Sequence, residues 1–249
     1  MFATHPVPPD LARHVACIWS FETDACEAAQ PPIAPDGCCE WILHLGDAPQ
    51  VRRDGAWHRQ PREFLFGQLR EPLLLRSDRR MHCLAIRFHP YAVVPLLRIA
   101  GSALVPQELV VPRLARWAGL CERASFERVL EGAVAALRAL IRDARDLDPL
   151  AAAACRELGS PEDARIAALA RRLEVSPRTL ERRFFAAVGL RPKRYARIAR
   201  MQRSLARLAV PGARAVEVAY AMGFSDQAHL TRELAALAGV RPGEILRAA

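Results

Sequence analysis

In the stretch Ser176-Pro-Arg-Thr-Leu-Glu-Arg-Arg-Phe-Phe185, Arg178, Glu181 and Arg182 follow one another at the three- and one-residue steps that gather side chains on one face of a helix. Leu180, Phe184 and Val188 gather on the opposite face. The product is a helix with an apolar back and a cationic, hydrogen-bonding front, a surface suited to holding a polyanion. A second front lies further along, where Gln227, Thr231 and Arg232 point away from Leu230, Leu234 and Leu237. His229 belongs to the same segment, and there contact with DNA suits it better than catalysis.

These side chains need helices to position them. Ser176 is a good N-cap and Pro177 fits the first helical position, where no amide hydrogen bond is lost. Upstream, Ile166-Ala-Ala-Leu-Ala-Arg-Arg-Leu173 reads as a short helix separated from the cap by Glu174-Val175 alone. Two helices joined so tightly form a helix-turn-helix, whose second member can enter a major groove. After Val188-Gly-Leu-Arg-Pro192, a helix from Tyr195 to Leu208 carries the apolar stripe Ile198, Met201, Leu205 and Leu208 between arginines. It would span roughly 25 Å. Pro211-Gly212 breaks the chain, and the pattern then recurs: Ala215 to Met222 as a short helix, Gly223-Phe-Ser225 as the turn with Ser225 as cap, and Asp226 to Leu237 as the second front-bearing helix. Gly239-Val-Arg-Pro242 repeats Gly189-Leu-Arg-Pro192. An internal duplication of this kind is hard to obtain from an ordinary helical hairpin.

Charge follows the same division. From Ser160 onward, 17 Lys and Arg face 8 Asp and Glu, whereas residues 1–159 hold 19 of each, so the last part of the chain carries the whole net charge of +9. A basic module beside a neutral one is the footprint of a polyanion-binding domain attached to another. Neither a lipidation motif nor a free basic amphipathic tail directs that charge to a membrane. No signal peptide and no apolar run of about 18 residues is present, and seven cysteines without repeated spacing fit reduced thiols, so a cytoplasmic location is expected.

The remainder divides in two. Residues 1–110 alternate short apolar runs (Val15–Phe21, Glu40–Leu45, Phe64–Leu69, Leu73–Leu75, Cys83–Phe88) with breakers such as Pro35-Asp-Gly37, Gly46-Asp47 and Asp54-Gly55, the last a hairpin signal. This spacing predicts a sandwich or small barrel, followed by a short helix over Pro90–Leu97. Residues 111–159 read as a helical connection. Within it, Phe126, Val129, Leu130, Ala133, Val134, Leu137, Leu140, Ile141 and Ala144 form one helical face behind a Ser125 cap, to be buried on the N-terminal domain or on a second copy of the chain. A short alanine-rich helix ends at Gly159, and Ser160-Pro-Glu-Asp163 signals a new helix start. The fold class is therefore α+β, with a mostly-β domain ahead of an all-α domain at 160–249.

Over residues 160–249 the chain resembles the AraC/XylS family of bacterial transcription regulators. The similarity is carried by Ile166-Ala-Ala-Leu-Ala, Val175-Ser-Pro-Arg-Thr-Leu-Glu-Arg-Arg-Phe, Gly189-Leu-Arg-Pro, Val216-Glu-Val-Ala-Tyr-Ala-Met-Gly-Phe-Ser-Asp-Gln-Ala-His-Leu-Thr-Arg and Gly239-Val-Arg-Pro. The resemblance implies two helix-turn-helix units on one linking helix, entering successive major-groove faces of double-stranded DNA. It places Arg178, Glu181 and Arg182 of the first unit, and Gln227, His229, Thr231 and Arg232 of the second, at the bases. There arginine takes guanine, glutamine takes adenine, and glutamate accepts from cytosine. Arg183, with Arg197, Arg200 and Arg203 of the linking helix, is either a phosphate contact or part of a solvated face. Leu230 stands where the family usually has an aromatic, Leu234-Ala235 where it has a Phe-Lys pair, and Ala228 where a longer polar side chain is common. Pro9-Asp-Leu with Trp19, Pro35-Asp-Gly37, Gly67-Gln68 and Arg87-Phe-His-Pro90 are similar to fragments of the cupin-like sensor domains fused to such regulators. They imply a small-molecule effector, and RNA polymerase and a homodimer partner are compatible with the same reading.

Catalysis has little support. His44, His82 and His89 lack the tight His-x-His pair of metal cupins, and no Gly-x-Ser-x-Gly or phosphate-binding loop occurs. No catalytic residue, metal or cofactor is assigned. Cys38-Cys39 offers the rival reading: a thiol-based or, with His44, metal-based stress sensor, or a cupin-type enzyme, fused to a DNA-binding module.

Overall fold

The computed structural model describes residues 1–24, 31–77, 79–104, 108–109, 114, 124–160 and 165–248. Its strands are β1 (Phe2–His5), β2 (Val15–Thr23), β3 (Glu40–His44), β4 (Gln50–Arg53), β5 (Ala56–Arg59), β6 (Glu63–Phe66), β7 (Leu75–Arg76), β8 (Met81–Phe88) and β9 (Glu108–Leu109). A six-stranded antiparallel sheet runs β1-β2-β8-β3-β6-β9, and a three-stranded one runs β5-β4-β7. Asp54 and Gly55 both take positive φ, 48° and 79°, the geometry of a two-residue turn whose twist matches the strands it joins. The Asp-Gly signal therefore closes the β4–β5 hairpin.

Register sorts the residues of the large sheet. Trp41 pairs with Ile86 and Leu65, Leu43 with Leu84, and Ile18 with Ile86, so these six share a face. All are fully buried. The helices that cover them are α1 (Val93–Leu97) and α2 (Phe126–Arg142), whose Val93, Leu96, Val129, Ala133, Leu137 and Leu140 join the same core. The Ser125 cap holds, with Oγ accepting from the Arg128 amide at 3.5 Å, and Arg138 of α2 makes a two-pronged pair with Asp10. The stripe of α2 is thus buried within its own chain. The opposite face carries Trp19, Glu40, Ile42, Phe64 and Arg87. The small sheet closes on it through His44 Nε2 to Gln60 Oε1 (3.2 Å), Gln60 Nε2 to Glu108 Oε1 (3.0 Å) and Arg53 to Glu108 (2.9 Å).

The rest is helical: α3 (Pro149–Gly159), α4 (Ile166–Arg172), α5 (Pro177–Val188), α6 (Pro192–Leu208), α7 (Ala215–Ala221), α8 (Gln227–Ala238) and α9 (Pro242–Ala248). The segment between the β domain and the repeats divides. While α2 joins the β core, α3 puts Leu150, Ala151, Ala154, Cys155 and Leu158 into a core with Leu169, Leu180, Phe184 and Ile198. A further core gathers Met201, Leu208, Val218, Phe224, Leu230, Leu234 and Leu237. Pro161, Glu162 and Asp163 of the expected helix start lie outside the described residues, and among those described no helix is long and apolar enough to cross a membrane.

The two domains meet tightly. Gly101 sits so close to the end of α5 that a Cβ there would lie 2.5 Å from Phe185 O and 2.6 Å from Ala186 O. Gln68, fully buried, donates from Nε2 both to Gly37 O (3.0 Å) and to Val188 O (3.2 Å).

Two outcomes are expected. Leu137→Ala should cost the full chain about 2–5 kcal/mol in denaturant unfolding without changing its mass in solution; a negligible cost, or a change of assembly, would place the α2 stripe elsewhere. His44 is 3 % exposed, and burial lowers its pKa from 6.5 to about 4. The unfolded chain therefore takes up a proton that the folded one refuses. This contribution is complete above about 6.5 and is lost as pH falls toward 4. His44→Gln should flatten the unfolding midpoint against pH in that window relative to the parent, and parallel curves would contradict it.

Candidate nucleic-acid interface

The two units are built alike. Ser176 caps α5, Oγ accepting from the Thr179 amide at 3.1 Å, and Gly189 at φ 76° ends it in the left-handed conformation. In α8 the cap is Asp226, whose Oδ1 accepts from the His229 amide at 2.6 Å, and Gly239 at φ 69° is the stop. The sequence reading put the cap at Ser225. That residue is instead an addition to the second turn, its Oγ reaching Asp226 Oδ2 and His229 Nδ1 at 3.2 Å each. Within the turns, Val175 N donates to Ala170 O at 3.0 Å and Phe224 N to Ala219 O at 2.9 Å. Glu174 (φ 55°) and Gly223 (φ 72°) occupy the same left-handed position. Ser176 and Asp226, Leu180 and Leu230, Phe184 and Leu234, and Pro192 and Pro242 are then counterparts.

This register aligns the candidate readers. Arg182 corresponds to Arg232, Glu181 to Thr231, and Arg178 to Ala228. Arg178, Glu181, Arg182, Gln227 and Arg232 are exposed, and among the described residues none of their side chains enters an ion pair. Thr231 is half-buried and donates from Oγ1 to Gln227 O at 2.9 Å. His229 packs edge-on to the Phe224 ring, with centroids 5.2 Å apart. It steadies the turn as well as bordering the outer face.

Arg183 is committed elsewhere. Its Nε and Nη2 reach Asp148 Oδ2 and Oδ1 at 3.0 and 2.6 Å, and the same Asp148 caps α3 by accepting from the amides of Leu150 and Ala151. Burial raises the Asp148 pKa, but the Arg183 bonds and those amides outweigh it and hold the carboxyl below its usual range. Its counterpart Glu233 also pairs inward, with Arg197 Nε and Nη2 at 3.1 and 2.8 Å. Arg200 lies with its guanidinium carbon 4.3 Å from the Phe224 ring centroid, and Arg203 Nη1 donates to Gly159 O at 2.6 Å. The linking-helix arginines, read from the sequence as phosphate contacts or a solvated face, are clamps that tie α6 to α8, to the second turn and to the end of α3. Glu233 was the missed residue. The one signal for it was an acid directly after Arg232 in an outward-facing segment.

A second concave site lies where the β domain meets α6, a cavity of about 140 Å³ lined in part by Asp36, Cys38, Glu40, Phe66, Arg87 and Gln202. Arg87 reaches Glu40 Oε1 from Nε at 2.8 Å and Asp36 Oδ2 from Nη2 at 3.1 Å, and Trp19 Nε1 donates to the same Glu40 oxygen at 3.1 Å. The thiol chemistry considered for Cys38-Cys39 is poorly served. Burial first, and the Asp36 carboxylate next, push both thiols well above the range in which a thiolate forms. His44 is bonded to Gln60, and among the described residues no three His, Cys, Asp or Glu are grouped so that they could hold a metal ion.

Comparison with known proteins agrees with this division. Residues 169–248 match the family described as a helix-turn-helix domain, and residues 3–109 match a domain of unknown function, DUF6597. No curated protein matches the chain. Among solved structures, ToxT from Vibrio cholerae is similar over 99 % of this chain and 98 % of its own, at 11 % identity and a TM-score of 0.50. ToxT of Vibrio cholerae O395 bound to (E)-4-(8-methylnaphthalen-1-yl)but-3-enoic acid gives the same values. An AraC-type transcriptional regulator from Chromobacterium violaceum is 25 % identical over 40 % of this chain and 90 % of its own, with a TM-score of 0.38. The helix-turn-helix match falls on the duplicated units and the other match falls on the sheets, and over its length the chain shares the fold of ToxT: residues 169–248 belong to the helix-turn-helix domain family, behind a β-rich domain.

Proposed function

We propose that the chain is a sequence-specific regulator of transcription that reads one duplex with both helix-turn-helix units and is controlled by a small molecule at its β domain. The observation that carries this reading is the pair of exposed arginines, Arg182 and Arg232, outside every ion pair among the described residues and at counterpart positions of two capped helices joined by α6. With 17 residues, α6 extends about 25 Å. With the flanking helices it sets two readers about one turn of DNA, roughly 34 Å, apart.

In this reading Arg178, Glu181 and Arg182, with Gln227, Thr231 and Arg232, face the bases, and His229 flanks them. Arg183 contributes by orienting α5 against α3, since its fork is filled by Asp148. The chain acts in the cytoplasm, with RNA polymerase as a further partner, and carries out no catalysis of its own. Control by an effector is supported by the cavity beside α6, and by ToxT, which shares the fold and has been seen with a small acid bound.

Two measurements on the full chain test the reading, using a duplex selected from a random pool. Arg182→Ala should weaken binding to the selected duplex by about 1–3 kcal/mol and binding to unrelated DNA far less. Equal losses would demote Arg182 to a backbone contact, and no loss would remove it from the interface. The logarithm of the parent's affinity should fall linearly with the logarithm of salt, by about 0.9 per phosphate neutralised; an affinity indifferent to salt between 50 and 200 mM (about the range over which such complexes weaken) would defeat the proposal.

A further inference from the structure

We propose that the cavity between the β domain and α6 binds a small organic cation, an alkylamine or guanidine whose charged head is taken by Glu40 beside Asp36, and that the segment 33–38 carries its arrival to the linking helix. The inference rests on the regulator reading above and names the ligand class and route of control.

The charge comes first. Among the described residues, Asp36, Glu40 and Arg87 are the charged ones lining the cavity, one negative charge in excess. The arrangement of bonds shows where that excess is available. Arg87 spends Nε on Glu40 Oε1 and Nη2 on Asp36 Oδ2, and Trp19 Nε1 also donates to Glu40 Oε1. Asp36 Oδ1 is taken by the Cys38 amide at 2.9 Å. Glu40 Oε2 accepts no hydrogen bond among the described residues, although the side chain is only 19 % exposed. A half-enclosed carboxylate oxygen without a donor calls for a charged N–H, because charge-assisted bonds are the strong ones. An anionic ligand would instead have to draw Arg87 away from two carboxylates that already hold it. Burial lowers the Arg87 pKa, but Glu40 and Asp36 outweigh it, so the group stays charged. Glu40 for its part is raised by burial first, against the pull of Arg87, with Asp36 adding to the rise. The volume, about 140 Å³, is close to that of a void able to take benzene. A charged head on a short stem fits, with Phe66, Leu69 and Ile33 as apolar wall.

The route to α6 follows from the contacts of the segment 33–38, which bends at Gly37 (φ 80°). Ala34, Asp36 and Cys38 line the cavity. The residues between them face the helices: Pro35 O accepts from Gln202 Nε2 at 2.6 Å, and Gly37 lies so close under Tyr195 that a Cβ would stand 2.7 Å from its Cε2. Gly37 O further accepts from Gln68, the residue that also donates to the end of α5. A ligand that draws Asp36 or Glu40 therefore moves the backbone on which α6 and α5 rest.

The test uses the full chain with n-butylamine as probe, and n-butanol and butyrate as controls at matched ionic strength. Butylamine should raise the thermal midpoint saturably and change the affinity for the selected duplex by at least about 3-fold, while the two controls do neither. Glu40→Gln should abolish both effects. Because that variant also loosens Arg87, Gln202→Met provides a second arm. Gln202 also lines the cavity, so the midpoint concentration of butylamine can shift, but the carboxylates stay in place and a saturable thermal response should persist while the change in DNA affinity disappears. The inference is overturned if butylamine has no effect on the parent, if butanol matches it, if Glu40→Gln responds as the parent does, or if butyrate acts and Arg87→Gln removes its effect. A DNA response kept by Gln202→Met overturns the route alone. Duplex binding that is intact but blind to amine sinks this inference and spares the regulator reading, whereas failure to bind any duplex sinks the latter by itself.

Discussion

Helix α6 is claimed by two hydrophobic cores at once, and the arrangement of the helical half depends on that. Tyr195, Ala196 and Ile198 complete the core of the first unit, while Met201 and Leu208 complete that of the second. Neither unit buries its apolar residues without this shared helix. Ser204, fully buried at mid-helix, returns its hydroxyl to Arg200 O at 2.9 Å, so it needs no outside partner. The forked Arg197–Glu233 pair then fixes rotation of α8 about α6, and Arg203 fixes the end of α3. Bidentate geometry matters more here than charge alone, because two parallel bonds set an angle as well as a distance. Spacing between the readers is therefore a property of the packed helix and not of a flexible tether.

The β domain approaches the C-terminal end of α5. Its contacts fall on the C-terminal end of α5 at Phe185, Ala186 and Val188, on α6 at Tyr195, Arg194 and Gln202, and on Gly239 of the second unit, which meets Pro32 and Pro72. Arg178, Glu181 and Arg182 lie in the opposite half of α5. At Gly101 the approach is backbone on backbone, and a side chain there would require the α5 carbonyls to shift. A seam so close leaves little room for gradual adjustment, since packed interiors move between discrete arrangements.

Much of this could be read in the residues. The caps at Ser125 and Ser176, the glycine stops, the Asp54-Gly55 hairpin and the duplicated units are all signals local to a few positions, and local signals survive without tertiary context. What periodicity leaves out is the partner. Arg183, Arg197, Arg200 and Arg203 look like surface charge on a helical wheel because their partners, Asp148, Glu233, the Phe224 ring and Gly159 O, come from other elements. Sequence periodicity reports which side a residue faces, and says nothing of what stands there. The same holds for α2 and α3, adjacent along the chain but buried in different cores. The cap of α8 was misplaced by one residue because Ser225 and Asp226 are both good caps, and only the backbone geometry chooses between them. Strands β1 and β9 are short edge strands of four and two residues, too brief for alternation to register.

The titratable groups of the β domain bear on what kind of work it does. A general base or nucleophile needs its pKa brought toward the working pH. Here burial moves the reactive candidates the other way: the thiols of Cys38, Cys39 and Cys83 upward and the imidazole of His44 down to about 4. The groups that do lie at the cavity are held in fixed pairs, Arg87 between Glu40 and Asp36. Such an array leaves Glu40 Oε2 for an incoming charge, because Arg87 and Trp19 both engage Oε1. Recognition at that point can alter DNA binding only by as much as the ligand distinguishes the two arrangements of the seam. By the same linkage, bound DNA must change ligand affinity by the same factor. Control of the kind proposed needs no chemistry at the cavity. It needs one shared segment that both the cavity and α6 lean on, and residues 33–38 are in that place.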